Sequence, residues 1–264
     1  MKSTKSFEYL DLNKFTRLIT IGCSFTDYRY PTWADIMSKA MPKAEFINLG
    51  RGGAGNLYIS NRITEAHRKL NLCDTDLVMI MWSTHCREDR YVDAAWLSPG
   101  NIYTQEHYPE SFVKEFCQPL GYLIRDLSLI DLANSYLNSL PCTYVGMLSV
   151  PFDYQQTLKD NHTIEVLETY KDIVDYFPTS MFELEMNNDW TTSVTYDFNG
   201  ELMDDYHPTP MNYYNYLKKL DIKLNDSALE YAAQSDMLLR SMKTFMQIKK
   251  TWPELDKWTK KGFW

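Results

Sequence analysis

No stretch of this sequence approaches the roughly 18 to 20 consecutive apolar residues that a membrane-crossing helix requires, so no membrane span is expected. Residues Met1 to Phe15 are polar and charged without an apolar core segment, which predicts no secretory signal and a cytoplasmic setting. Cysteine is sparse: five thiols at positions 23, 73, 86, 117 and 142 form neither a Cys-x-x-Cys pair nor a disulfide framework, and they read as reduced. Basic residues are outnumbered 27 to 35, leaving a formal net charge of −8, which argues against a nucleic-acid binder that must present a basic face to phosphates. Internal repeats, low-complexity tracts and linkers are also missing. What remains is a 264-residue chain, 44% hydrophobic, that is too apolar to be disordered and long enough to bury one sizeable core.

Strands and helices alternate from the start. After a polar lead-in through residue 16, residues 17–22 read as an apolar strand, and residues 32–41 as a helix capped by Thr32, with Trp33, Ile36, Met37 and Ala40 on one stripe. A short strand at 45–49 runs into Gly50-Arg51-Gly52-Gly53-Ala54-Gly55-Asn56, and a helix follows at 57–70. Residues 76–82 are apolar on both faces, as a central parallel strand should be. This order predicts an α/β fold with a parallel sheet and right-handed crossovers. Ligands of such sheets bind beyond the carboxyl ends of the strands, where Ser24, the 50–56 loop and residues 83–89 would meet. An aromatic, turn-rich insertion at about 89–112 is expected to wall that site. Further on come a helical stretch at 111–137 interrupted near Pro119-Leu120-Gly121, a strand at 143–148, a helix at 160–176 and an irregular acidic connection at 178–200. A motif at 204–210 opens a helix to about 220, with Pro208 in its first turn. One long amphipathic helix at 226–251 and a tryptophan-rich tail ending at Trp264 complete the chain. The expected division is an α/β domain over 1–225 and a helical extension over 226–264 packed on it.

Two polar features stand out. Gly22-Cys23-Ser24-Phe25-Thr26 sits directly behind the first strand, and a small hydroxyl residue there can be a nucleophile held at the mouth of the sheet. The same residues also describe an ordinary turn. A serine attacks only when a base takes its proton and a third group fixes that base. His207, in Asp204-Asp205-Tyr206-His207-Pro208-Thr209-Pro210, is the candidate base, and Asp204, three residues earlier, is the expected orienting carboxylate. The plain alternative is a helix cap beside a surface histidine.

Together these pieces resemble the SGNH, or GDSL-like, hydrolase family. Gly22-Cys23-Ser24-Phe25-Thr26 looks like its Gly-Asp-Ser-x-Ser/Thr block, Asn48-Leu49-Gly50-Arg51-Gly52-Gly53 like its second block, and Asp204 to Pro208 like its Asp-x-x-His-Pro block. The resemblance implies a three-layer, flavodoxin-like sandwich, with Ser24 as nucleophile, His207 as general base and acid, and Asp204 as orienting carboxylate. It also implies an oxyanion hole built from the backbone N–H groups of Ser24 and Gly53. Where the family has an Asn donor in Gly-x-Asn-Asp, this chain reads Trp82-Ser83-Thr84-His85, so Thr84 takes that place, with Ser83, Asn56 or Arg87 as substitutes. Cys23 replaces the first-block Asp and reads as packing. The implied activity is hydrolysis of a small acyl or acetyl ester, on a carbohydrate among other carriers, without cofactor or metal.

Other readings compete. Gly50-x-Gly52-x-x-Gly55 fits a dinucleotide fingerprint, but it follows the second strand and leaves Ser24 and His207 unexplained. His85, Cys86, Glu88 and Asp89 lack zinc-site spacing. His67, His107 and His162 show no partner pattern. Tyr28, Tyr30, Trp33, Trp82, Tyr91 and Trp96 fall near the presumed site and suggest sugar stacking. The main rival is a non-catalytic protein of the same fold, a component of a larger assembly that binds a protein partner or a second copy through its C-terminal helix and tail. Ser24, His207 and Asp204 within hydrogen-bonding reach of one another favour the enzyme, and a blocked or disassembled triad the rival.

Overall fold

A computed structural model describes residues 7, 10–103, 107–153, 161–187, 189–190 and 193–256. Four parallel strands form the centre: β1 (Arg17–Gly22), β2 (Glu45–Asn48), β3 (Asp76–Trp82) and β6 (Thr143–Leu148), in the order β2-β1-β3-β6. All seven residues of β3 are buried, as their apolar run requires of a strand covered on both faces. At the start of β1, Arg17 meets its register partner Asp76 through two hydrogen bonds of 2.9 and 2.6 Å. Two antiparallel hairpins lie outside this sheet: β4 (Arg90–Val92) with β5 (Ala95–Leu97), and β7 (Val194–Phe198) with β8 (Glu201–Asp205).

The helices sort into two layers. α1 (Trp33–Ala40), α8 (Pro210–Lys219) and α9 (Asp226–Ser241) pack on one another, while α2 (Asn56–Leu70) packs with α4 (Pro119–Ser139). The result is the expected α/β/α sandwich. Short helices α3 (Glu110–Phe116), α5 (Asn161–Thr169), α6 (Lys171–Val174) and α7 (Met181–Glu185) fill the connections. β1 hands the chain to β2 on one side, and β3 hands it to β6 on the other. Their carboxyl ends therefore flank the crevice where such sheets bind ligands.

Three local expectations are corrected. The connection at 178–200 holds α7 and the first strand of a hairpin whose turn is Asn199-Gly200, both at positive φ (56° and 90°). Asn-Gly suits this turn because both central residues must adopt left-handed backbone. The helix after the His207 motif begins at Pro210, not Pro208, with Thr209 and Asn212 forming its capping box. The single helix expected over 226–251 is two, because α9 stops at Ser241 and α10 (Phe245–Thr251) restarts from a Thr244–Gln247 capping box. The link between them is held by Asp197 of β7, whose N–H donates to the Lys243 carbonyl at 2.7 Å. Residues 257–264 of the expected tail lie outside the described residues.

Candidate functional site

Ser24 sits in the tight turn that follows β1, where the N–H groups of Thr26 and Asp27 both donate to the Cys23 carbonyl, at 2.9 and 3.1 Å. Glycine is required before it, because a Cβ on Gly22 would lie 2.1 Å from Thr26 Oγ1 and 2.8 Å from the Met81 carbonyl. The turn is tied to the 50–56 loop by Asn48, whose Nδ2 donates to the Thr26 carbonyl at 3.0 Å and whose Oδ1 accepts from Gly50 N–H at 2.9 Å. Cys23 is fully buried in the main core, the packing role expected of it.

The Ser24 hydroxyl lies 2.8 Å from His207 Nε2, although the two residues are 183 positions apart. His207 Nδ1 lies 2.8 Å from Oδ1 of Asp205, which also accepts the His207 backbone N–H at 3.0 Å. The carboxylate bonded to the imidazole is thus Asp205, not the expected Asp204. The reason is strand geometry: β8 runs through Asp205, and neighbouring side chains of a strand point to opposite faces. Asp205 is buried toward the histidine, whereas Asp204 is exposed and accepts from its cross-strand neighbour Thr195 Oγ1 at 2.8 Å. Burial by itself would raise the Asp205 pKa. The side-chain bond with His207, its charge, its backbone N–H and the Tyr28 hydroxyl outweigh burial and hold the carboxyl below its ordinary range.

Tyr28 contributes twice. Its ring stacks on the imidazole with centroids 3.8 Å apart and planes 21° apart, and its hydroxyl donates to Asp205 Oδ2 at 3.0 Å. Burial first, and then the Asp205 charge, push its own pKa well up, so it stays a donor. Phe25 meets the imidazole edge-on at 5.6 Å, and the Tyr30 hydroxyl donates to the His207 carbonyl at 3.2 Å. The residue sequence reasoning missed is Asp205, and Tyr28, expected near the site as a sugar-stacking aromatic, instead bonds Asp205 and stacks on His207. A signal for Asp205 was available, since reading Asn199-Gly200 as a hairpin turn puts adjacent aspartates on opposite faces.

The loop after β3 behaves differently from expectation. Asn56 is spent on structure: Nδ2 donates to the Ser83 carbonyl (2.9 Å) and to Asp126 (2.7 Å), and Oδ1 accepts from Ser83 N–H (2.8 Å). Arg87 Nη1 donates to the Ala54 carbonyl at 2.9 Å, stapling two loops together. Asn56 is thus fully bonded to its neighbours, while Arg87 keeps a buried Nε without a partner among the described residues. Ser83 keeps a buried hydroxyl with no partner among the described residues. Thr84 is half-buried, and its oxygen accepts only a long bond from Cys86 N–H at 3.5 Å. Glu88 is bound by Arg90, Arg125 and Tyr122, and Asp89 caps α2 through the N–H groups of Gly55 and Tyr58. Gly53, at φ 79°, packs against the insertion so closely that a Cβ would lie 2.2 Å from the Ser98 carbonyl. Among the described residues, the backbone N–H groups of Ser24 and Gly53 donate to nothing. Of the six candidate stacking aromatics, Tyr30, Trp33 and Trp82 are fully buried and cannot present a face to a sugar.

No protein-family model matches the chain, and no curated protein matches it. Solved structures similar to it include a member of the lipolytic protein G-D-S-L family from Veillonella parvula, at 16% identity and TM-score 0.35, covering 81% of this chain and 96% of that one. A GDSL-like lipase from Bacteroides thetaiotaomicron is similar at 15% identity and TM-score 0.36, over 78% of this chain and 85% of the other.

Proposed function

We propose that the protein is a serine hydrolase that cleaves a carboxylic ester through an acyl-serine intermediate. One observation carries this reading: the continuous relay Ser24 Oγ–His207 Nε2, His207 Nδ1–Asp205 Oδ1, with both links at 2.8 Å. In the reaction, Ser24 Oγ bonds to the ester carbonyl carbon while His207 Nε2 takes its proton. The carbonyl oxygen becomes an oxyanion facing the uncommitted N–H groups of Ser24 and Gly53, with the Thr84 hydroxyl as a third donor. Collapse breaks the bond to the leaving oxygen, which receives the proton from His207 and departs as an alcohol. Water then attacks the acyl carbon, His207 takes its proton and returns it to Ser24 Oγ, and the carboxylic acid leaves. Asp205 keeps the imidazole in the tautomer that presents Nε2 as the base.

A small acyl group, acetyl foremost, follows from the motif resemblance. The assembled relay favours an enzyme over the non-catalytic alternative. A fluorophosphonate probe should label Ser24 and p-nitrophenyl acetate should turn over, and both should vanish in Ser24→Ala. Full turnover by that variant, or an unreactive Ser24 in folded wild-type protein, would overturn the reading.

A further inference from the structure

Beside His207 runs a groove of about 450 Å³, which Asp205 and Tyr28 also line. Its walls are Tyr28, Tyr196 and Phe198, Met203 of β8, and Phe245 of α10. These walls come from the hairpin β7–β8 and the C-terminal segment, which share a small core of their own in which Tyr196 packs with Tyr30, Leu239, Ile248 and Trp252. The C-terminal segment therefore builds one side of the site rather than merely covering the domain.

The groove also contains one cation. The Arg29 guanidinium carbon lies 4.8 Å from the Tyr28 ring centroid and 4.7 Å from that of Phe245, and Nη1 donates to the Tyr196 hydroxyl at 2.7 Å. Among the described residues that is its one hydrogen bond, and no carboxylate lies within ion-pair distance of it. Two acids line the groove as well: Asp205 is bonded to His207 and Tyr28, and Asp204 accepts from the Thr195 hydroxyl on the exposed rim, so Arg29 is the group there that offers donors to an anion. A guanidinium held against rings, with most of its planar fork uncommitted, is suited to a carboxylate or phosphate oxygen pair. His207, which in the reading above hands its proton to the departing oxygen, lines the groove, whereas Ser24 and Gly53 do not, so the groove starts beyond the imidazole, where an alcohol larger than the reacting atoms would extend. We propose that it is the leaving-group subsite, and that Arg29 selects alcohols with a flat or apolar body and an anionic substituent, carboxylate or phosphate. This proposal rests on the serine-esterase reading above.

The test compares 4-acetoxybenzoate with the neutral 4-acetoxybenzamide, each kcat/KM divided by the ester's alkaline hydrolysis rate. Wild-type protein should favour the anion by about tenfold, less at high salt. Arg29→Met should bring that ratio near one, and Met203→Glu, a change at a 44% exposed rim position, should lower it without touching Arg29. A wild-type ratio at or below one, or a ratio unmoved by both variants, overturns the proposal. Calorimetry of 4-hydroxybenzoate and phenyl phosphate on the Ser24→Ala protein separates this idea from the hydrolase reading and the two anions from each other. Binding that Arg29→Met abolishes supports the groove even if Ser24 proves unreactive. A reactive Ser24 with no binding of either anion sinks the groove alone.

Discussion

Two regions at the carboxyl edge of the sheet are equally rich in polar side chains, yet they do opposite things with them. On the His207 side, Ser24, His207, Asp205 and Tyr28 form a chain of bonds that ends at a hydroxyl, and Arg29 keeps most of its donors uncommitted. Around the loop after β3, Asn56, Glu88, Arg125 and Asp126 consume one another: Asn56 meets Asp126, and Arg125 alone meets Glu88, Asp126 and the Arg87 carbonyl. Arg125 and Arg29 make the contrast plain. Each lies on a tyrosine face, Arg125 at 4.0 Å and Arg29 at 4.8 Å, but carboxylates neutralise only the first. Polar groups bonded to one another hold structure together, and the uncommitted donors of Arg29 are what the proposed subsite rests on.

Substitutions can break this comparison. The largest expected effect separates two adjacent aspartates. Asp205→Asn should lower kcat/KM and the rate of Ser24 labelling by roughly 10³- to 10⁴-fold, because the imidazole loses the partner that fixes its tautomer. Asp204→Asn should stay within about threefold. Equal damage from both would mean that the relay is wrongly drawn.

On the other side of the comparison, the damage should appear in stability instead. Asn56→Ala strands the Ser83 N–H and carbonyl and one Asp126 oxygen in a buried setting, which should cost about 3 to 5 kcal/mol. Denaturant unfolding with an unchanged m-value would measure this, and wild-type stability would contradict a purely structural loop.

A smaller effect concerns pH. His85 is buried, and burial followed by the Arg125 charge lowers its pKa from 6.5 to about 4. Above pH 6.5 the histidine is neutral in both folded and unfolded chains, and its contribution is fully present. Between pH 6.5 and 4 the unfolded chain takes up the proton first, so stability is lost as pH falls. Compared with His85→Gln, wild-type protein should lose about 2 to 3 kcal/mol across that window. Asp126 is pushed by burial up to about 7, against Arg125 and Asn56, and acts in the opposite sense, but it is present in both proteins and cancels. Parallel stability curves would show that His85 is not held neutral by burial.

Much of this organisation was legible in the residues alone. The apolar runs at 17–22, 76–82 and 143–148 became covered parallel strands, as their shortness and their alternation with helical segments predict. Gly22 ahead of Ser24 and the glycine-rich loop after β2 announced close backbone approaches at one edge. Sequence spacing could not choose between Asp204 and Asp205, since either reaches a histidine two or three residues away in an extended chain. That choice fell to the pairing of β8 with β7, which turns one aspartate inward and the other to solvent. Nor could it show that Asn56 and Arg87 would be spent on neighbouring backbone, or that Arg29 and Phe245, 216 positions apart, would meet. Local pattern determined which segments are strands and helices, because burial of a repeating face is a property of the segment itself. Which polar groups remain free to do chemistry was decided only by the tertiary structure, because it depends on what the rest of the chain brings to meet them.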